Sequence, residues 1–439
     1  MLQLAVQPGG PRDIVVQALP NATCTLSPGQ TTAASNAIEM FSDADGTIIF
    51  QIQSTQGNTR AVPAESFLYC SDDAGVQATY LLQITIDPGA AEYVRPLPRG
   101  TPRPALTADP AILTTAELVA KGFPPKPDPI ATPEAYQTWL KIVSEPATIV
   151  PPRSVRSAVH NYIPVSKDNY AGISAQNPVA YRGSGNLYDY VSGSWHVPQV
   201  STTIPNEWEH MSTWVGLRGC TGGNCSFPVS TGTLFQTGTV DAAMYDGSFV
   251  YSSHSAFFEW LSWLYPSCLN QPPGNANNVH VIGTSPNQAC DLQITPNRIL
   301  VNERDQVFAV VWTGDANGTP MANGAYAYSY IQNMTTLVGS STLRFSSLPA
   351  WPLNGFEADW ILERATLAAV LTLSNLPWFS SPYVMSAPAV RYQNGGVEHS
   401  ANFSTVANIL WTMSASGRIL AVVTFPSSQD ISFNWVNYY

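Results

Sequence analysis

The sequence predicts an all-β protein, and three features predict it. Charged residues are 11% of the 439-residue chain against 44% hydrophobic, enough apolar surface for a large core. Thirty-six prolines and 30 glycines, with abundant Thr, Ser, Asn and Val, favour strands and tight turns over long helices. From about residue 186 to the end, short strand-like runs recur between turn signals, among them "GSWHVPQV", "HMSTWVGL", "TLFQTGT", "SAFFEWLSWL", "QVFAVVWTG" and "DWILERA". Such a series predicts a two-sheet antiparallel β-sandwich of the jelly-roll kind.

The chain is longer than one core usually fills, so two folded units and a connecting segment are expected. Residues 1–95 carry runs such as "GTIIFQIQ" and "ATYLLQITID" between Gly, Asp, Asn and Pro turns, and read as a smaller N-terminal β domain. Residues 96–185 open with "RPLPRGTPRPALTADP", whose prolines fix φ and remove donors, making a semi-rigid linker. Two helices follow in it. "TTAELVAKG" has a capping box from Thr114 to Glu117 and stops at Gly122; "TPEAYQTWLKIV" starts with Thr132 as N-cap and Pro133 in the first turn. In the second helix Tyr136, Trp139, Leu140 and Val143 share one face, which must be buried on a neighbouring domain. Residues 186–439 form the sandwich domain.

Nineteen basic against 30 acidic residues give a net charge of -11. The absence of any basic run or stripe argues against phosphate-backbone binding, and no nucleic-acid partner is expected. No apolar run reaches the length of a transmembrane helix, so no membrane partner is expected either, and the protein reads as a soluble monomer. Six cysteines pair by proximity as Cys24 with Cys70, Cys220 with Cys225 and Cys268 with Cys290, although spacing alone does not fix connectivity. An oxidising compartment and secretion follow, consistent with sequons at Asn21, Asn224, Asn317, Asn333 and Asn402. The opening "MLQLAVQPGG" lacks the basic and apolar regions of a signal peptide, which is then absent or already removed.

The familiar hydrolase signatures are missing from the sequence: no G-x-S-x-G, no pepsin-type D-[ST]-G, no H-E-x-x-H and no P-loop. The six histidines show no metal-ligand spacing, so neither metal nor cofactor is expected. What remains is carboxylates, amides and aromatics. In "NGFEADWILERA", Glu357, Asp359 and Glu363 fall at even spacings and share one face of a regular strand. In "TLFQTGT" a single long amide, Gln236, stands among apolar and β-branched residues.

Five fragments in order carry a family resemblance: "TWVGLRG" (Thr213 to Gly219), "LFQTG" (Leu234 to Gly238), "FFEW" (Phe257 to Trp260), "ADWILE" (Ala358 to Glu363) and "LPWF" (Leu376 to Phe379). Together they resemble the glutamic peptidases, the eqolisin or G1 family, over roughly residues 186 to 385. The resemblance implies a concanavalin-like sandwich of two curved sheets, a polypeptide substrate and a Gln/Glu dyad, with Gln236 as oxyanion donor and Glu363 as general base and acid. It also implies substrate-binding roles for Trp214, Phe257 and Glu259, and that the helical segment of residues 96–185 is propeptide-like, covering the cleft until acid releases it. Two departures stand out. The family commonly has an aspartate where this chain has Arg218, and Phe257 replaces a motif tryptophan. Two other readings stay open: a laminarinase-type glycoside hydrolase using Glu357, Asp359 and Glu363, and a carbohydrate- or peptide-binding sandwich without catalysis.

Overall fold

The computed structural model describes residues 1–6, 12–28, 39–42, 45–54, 64–72, 74–90, 100–150, 153–155, 169–176, 186–205, 207–220, 232–262, 290–295, 299, 301–340, 342–346, 353–364, 366–367 and 372–437. Among these, a ten-stranded and a twelve-stranded sheet lie face to face, joined by mostly antiparallel pairing. Their facing surfaces hold the main core: Val215, Leu217, Phe235, Phe258 and Trp360 from the first sheet meet Val191, Trp195, Val307, Val311, Ile331 and Met385 from the second. The expected antiparallel sandwich is therefore the architecture. Period-two alternation builds it, because each strand sends alternate side chains to opposite faces. In the Glu357–Arg364 strand, Ala358, Trp360 and Leu362 enter the core while Glu357, Asp359, Ile361 and Glu363 turn to the other face.

The N-terminal residues form a five-stranded sheet that includes the Ala22–Pro28 and Ala64–Asp72 strands, where Cys24 and Cys70 sit directly opposite each other and are disulfide-bonded. The Cys220–Cys225 and Cys268–Cys290 pairings involve positions outside the described residues. This unit is not a bead on a string. Its Thr47–Ser54 strand hydrogen-bonds antiparallel to the start of the Phe249–Ser262 strand, extending the ten-stranded sheet. Ile14, Leu26, Phe50, Ile52, Leu68 and Leu82 then share one core with Trp208, Met244, Phe249 and Tyr251 of the sandwich.

Helix α1 (Thr115–Ala120) has the expected capping box: the Glu117 N–H donates to the Thr114 hydroxyl, and the Thr114 N–H donates to the Glu117 carboxylate. Helix α2 (Pro133–Ser144) has Pro133 in its first turn, but the Thr132 hydroxyl donates to the Asp128 carbonyl at 2.8 Å and does not cap the helix. Its buried face, Ala135, Trp139, Ile142 and Val143, packs on Tyr190, Phe308, Val310, Trp312, Tyr328 and Tyr330 of the twelve-stranded sheet. Full burial of Trp139 alone contributes about 2–3 kcal/mol. Arg103 locks the same segment down. Its guanidinium stacks on Phe123 at 4.1 Å and donates to Tyr330 Oη (2.7 Å), Gln332 Oε1 (3.0 Å) and the Ile142 carbonyl (3.2 Å). The helical segment was expected over a cleft; it covers the outer surface of the twelve-stranded sheet, because that is where a complementary aromatic face lies open to its apolar stripe.

Three sequons are settled by packing. Asn333 is fully buried, its amide donating to Asp305 and accepting from the Thr335 and Thr336 N–H groups, so its side chain is closed to glycosylation; Asn21 and Asn317 are exposed in turns.

Candidate active site

The residues singled out from the sequence gather on the outer face of the ten-stranded sheet. Five neighbouring strands supply it, in the spatial order Phe249–Ser262, Gly232–Tyr245, Trp208–Cys220, Glu357–Arg364 and Tyr170–Gln176. Their register sets level rows across the sheet. One row reads Glu259, Gln236, Gly216, Asp359, Ser174; the next reads Phe257, Gly238, Trp214, Ile361, Gly172; the third brings Glu363 between Ser212 and Tyr170. On the other side of the first row stand Leu234, Arg218, Glu357 and Gln176. Gln236 and Glu363 thus lie diagonally across Trp214, on different strands but one face.

Both members of the pair are held. The Gln236 amide donates from Nε2 to Glu259, the residue directly opposite on the neighbouring strand. A carboxylate only accepts, so this contact fixes which end of the amide is which. The Gln236 Oε1 atom is buried and has no hydrogen-bond partner among the described residues. Glu363, half-buried, accepts from the Trp214 indole N–H at 2.8 Å. Gly216 makes room for that ring: a Cβ there would stand 3.0 Å from Trp214 Cζ3, so the six-membered ring occupies space a side chain would fill.

Burial and like charge raise Glu363. Desolvation first, and the Glu259 charge second, push its pKa up to about 8, against the opposing pull of the Trp214 hydrogen bond and of Arg218. The cation at 218 does lower the carboxyl, as its charge requires, but burial wins. Two carboxylates facing one desolvated site do not both carry charge cheaply, so the charge of Glu259 adds to the rise of Glu363.

The remaining acids of that strand are otherwise engaged. Arg218 Nε lies 2.6 Å from Asp359 Oδ2 and 3.7 Å from Glu357 Oε1, with all three side chains buried. Asp359 also accepts from the Ser174 hydroxyl, and Glu357 from Gln176 Nε2 at 3.2 Å. Glu357 is held well above the usual carboxylate range by burial and by Asp359. Of the three evenly spaced acids, Glu357 and Asp359 are paired with Arg218, and Glu363 is held by Trp214. The paired carboxylates of a glycosidase need one free nucleophile, and Arg218 occupies that candidate.

Among the aromatics, Trp214 is fully buried and Phe257 is 5% exposed, so they form the floor of the face beside Tyr170, Leu234, Ile361 and Trp411. Tyr170, Ser174 and Trp411 were not singled out by motif; their only sequence signal is alternation within short runs. Among the described residues no group of three or more His, Cys, Asp or Glu is placed to hold a metal ion.

The sequence profile of the Peptidase A4 family matches residues 168–435. The chain belongs to this family, the eqolisins. Its members are glutamic peptidases and hence hydrolases, and the match spans every strand that builds the face just described. Solved structures similar to the chain include scytalido-glutamic peptidase with a transition-state-analogue inhibitor (16% identity, TM-score 0.39, 61% of this chain and 98% of that one). Another is SCP-B, an eqolisin in complex with the tripeptide Ala-Ile-His (15% identity, TM-score 0.38, 61% of this chain and 98% of that one). Membership rests on the profile and not on these distant likenesses. No curated protein matches the chain.

Proposed function

We propose that this eqolisin is a secreted acid endopeptidase that hydrolyses peptide bonds with Gln236 and Glu363 as its dyad. The observation that carries the reading is that both side chains occupy one face of the catalytic sheet, each oriented by a neighbour: Gln236 by Glu259 and Glu363 by Trp214. Peptide hydrolysis needs a base for water and a donor for the oxyanion. Glu363 as carboxylate takes a proton from water as the water oxygen bonds to the scissile carbonyl carbon. The developing oxyanion accepts the second Nε2 hydrogen of Gln236, the first being bound to Glu259. Glu363 then returns the proton to the amide nitrogen as the C–N bond breaks, and the site is restored with one water consumed.

Acid operation is part of the reading: the amide of Gln236 keeps its N–H groups at any pH, where a second carboxylate would repel the first, and the reacting form of Glu363 is its ionised fraction, which its raised pKa makes small in acid. Polypeptide is the substrate class; Trp214, Phe257 and Glu259 line the reacting face.

The test is cleavage of an unfolded protein such as casein over about pH 2 to 7, a range bracketing carboxylate titration, with pepstatin and a chelator present. Cleavage insensitive to both supports the reading. Absence of cleavage throughout that range, with turnover of laminarin or retention of a glycan instead, overturns it.

A further inference from the structure

The position that departs from the family motif, Arg218, is built into the site from behind. It is 2% exposed, so it meets no substrate directly. Its Nε pairs with Asp359 at 2.6 Å, and its guanidinium carbon sits 5.6 Å over the Tyr170 ring. Tyr170 in turn meets Trp214 edge-on at 5.8 Å and Trp411 edge-on at 6.3 Å. Trp214 donates to Glu363, and Trp411 donates at 2.7 Å to Ser174, which itself donates to Asp359. A closed circuit of contacts thus runs from Arg218 through Tyr170, Trp411, Ser174 and Asp359 back to Arg218, and from Tyr170 a branch through Trp214 reaches the Glu363 carboxyl.

Charge follows the same route. The charged and titratable groups that act on Glu363 are Glu259 from the Phe249–Ser262 strand, Asp359 from its own strand, and Arg218 from the Trp208–Cys220 strand, with Tyr170 opposite on the Tyr170–Gln176 strand. Arg218 is the one cation in that set, and it stands among acids that would otherwise all oppose ionisation of Glu363.

We propose that Arg218 is a positioning residue for Glu363: its buried pair with Asp359 and its stack on Tyr170 seat the Trp214 indole and place one positive charge behind the catalytic carboxyl. The inference rests on Glu363 being the catalytic acid–base. In this chain the charge that the motif commonly presents at this position is reversed, and Asp359 balances it. The pair therefore works as a unit whose net charge, not either member alone, sets the proton affinity of the site.

The experiment is the pH dependence of kcat/KM for wild type, Arg218→Gln, Asp359→Asn, the Arg218→Gln/Asp359→Asn double variant and Glu363→Gln, each checked for native circular dichroism. Arg218→Gln leaves Asp359 unbalanced and moves the acid limb, where Glu363 must ionise, up by about one pH unit; Asp359→Asn leaves Arg218 unbalanced and moves it down by a similar amount. The double variant returns toward wild type, and Arg218→Lys keeps the limb in place while lowering kcat through the lost stack. A merely structural role would lower activity in every variant without opposite displacements. Folded single variants with the wild-type limb, or a double variant displaced as far as Arg218→Gln, overturn the proposal. An active Glu363→Gln variant would instead remove the dyad assignment beneath it, and the two failures are told apart by that one control.

Discussion

Trp214 donates its indole N–H to Glu363 at 2.8 Å from the strand that lies between those of Gln236 and Glu363, so one buried side chain stands between the two residues of the proposed dyad. A hydrogen bond to a charged group contributes about 1.5–3 kcal/mol. Trp214→Phe keeps the ring and removes the donor. Because the bond favours the carboxylate, its loss raises the pKa of Glu363 further, and kcat/KM is expected to fall by about 10- to 100-fold, with the acid limb moved upward. Steady-state kinetics across pH checks both effects, and an unchanged profile would show that the indole serves packing alone.

Glu209 gives the fold an acid bias of its own. It is fully buried on the Trp208–Cys220 strand, and neither carboxylate oxygen has a hydrogen-bond partner among the described residues. Burial pushes its pKa up to about 7, with the charge of Glu207 adding to the rise and the nearby Thr202 hydroxyl offsetting part of it. A carboxyl raised in the folded state contributes stability that is fully present below its ordinary value and is lost as pH rises through the folded value. From 4.5 to about 7, the loss is on the order of 3 kcal/mol. The thermal midpoint is expected to fall between about pH 5 and pH 8, and Glu209→Gln to flatten that fall. Parallel melting curves for the two proteins would contradict it.

The N-terminal residues are expected to be needed for folding, not merely tolerated. Removing residues 1–150 uncovers the apolar surface around Trp208, Met244, Phe249 and Tyr251, frees the edge of the Phe249–Ser262 strand, and strips α2 from Phe308, Val310 and Trp312. An uncovered sheet edge beside apolar surface favours aggregation. Soluble yield and light scattering of the truncated chain check this; a soluble, fully active 151–439 fragment would show that both faces tolerate water.

Arg103 tests the same attachment with one side chain. Among the described residues its cation is satisfied by Tyr330, Gln332 and the Ile142 carbonyl rather than by a carboxylate, so Arg103→Ala leaves several buried groups unpaired. A loss of about 2–4 kcal/mol is expected in denaturant unfolding, with kcat little changed because the contacts lie on the sheet opposite the active face. Unaltered stability would mean that water replaces the guanidinium.

Much of the face was legible because strand alternation is local. Even spacing put Glu357, Asp359 and Glu363 together, and they do share a face. Ordered motifs located Gln236, Glu259, Phe257 and Trp214, which the register brings into adjacent rows. The partners of those residues were not legible. Arg218 meets Asp359 across 141 positions of sequence, and only strand register decides that they are diagonal neighbours. The apolar stripe of α2 announced burial but not on which surface, because a periodic pattern names a face and never its partner. In the same way the N-terminal strands read as β structure, while their joining to the catalytic sheet depends on the free edge of the Phe249–Ser262 strand.

The most direct test of the dyad is kcat/KM on an unfolded protein substrate at the pH of maximal activity, for wild type, Glu363→Gln and Gln236→Ala with native circular dichroism. Glu363→Gln removes the base and returning acid and is expected to lower kcat/KM by about 10³-fold or more, and Gln236→Ala to lower kcat by about 10²- to 10³-fold through the lost oxyanion donor. Retention of activity within about tenfold of wild type by either folded variant would contradict the assignment of Gln236 and Glu363 as the catalytic pair.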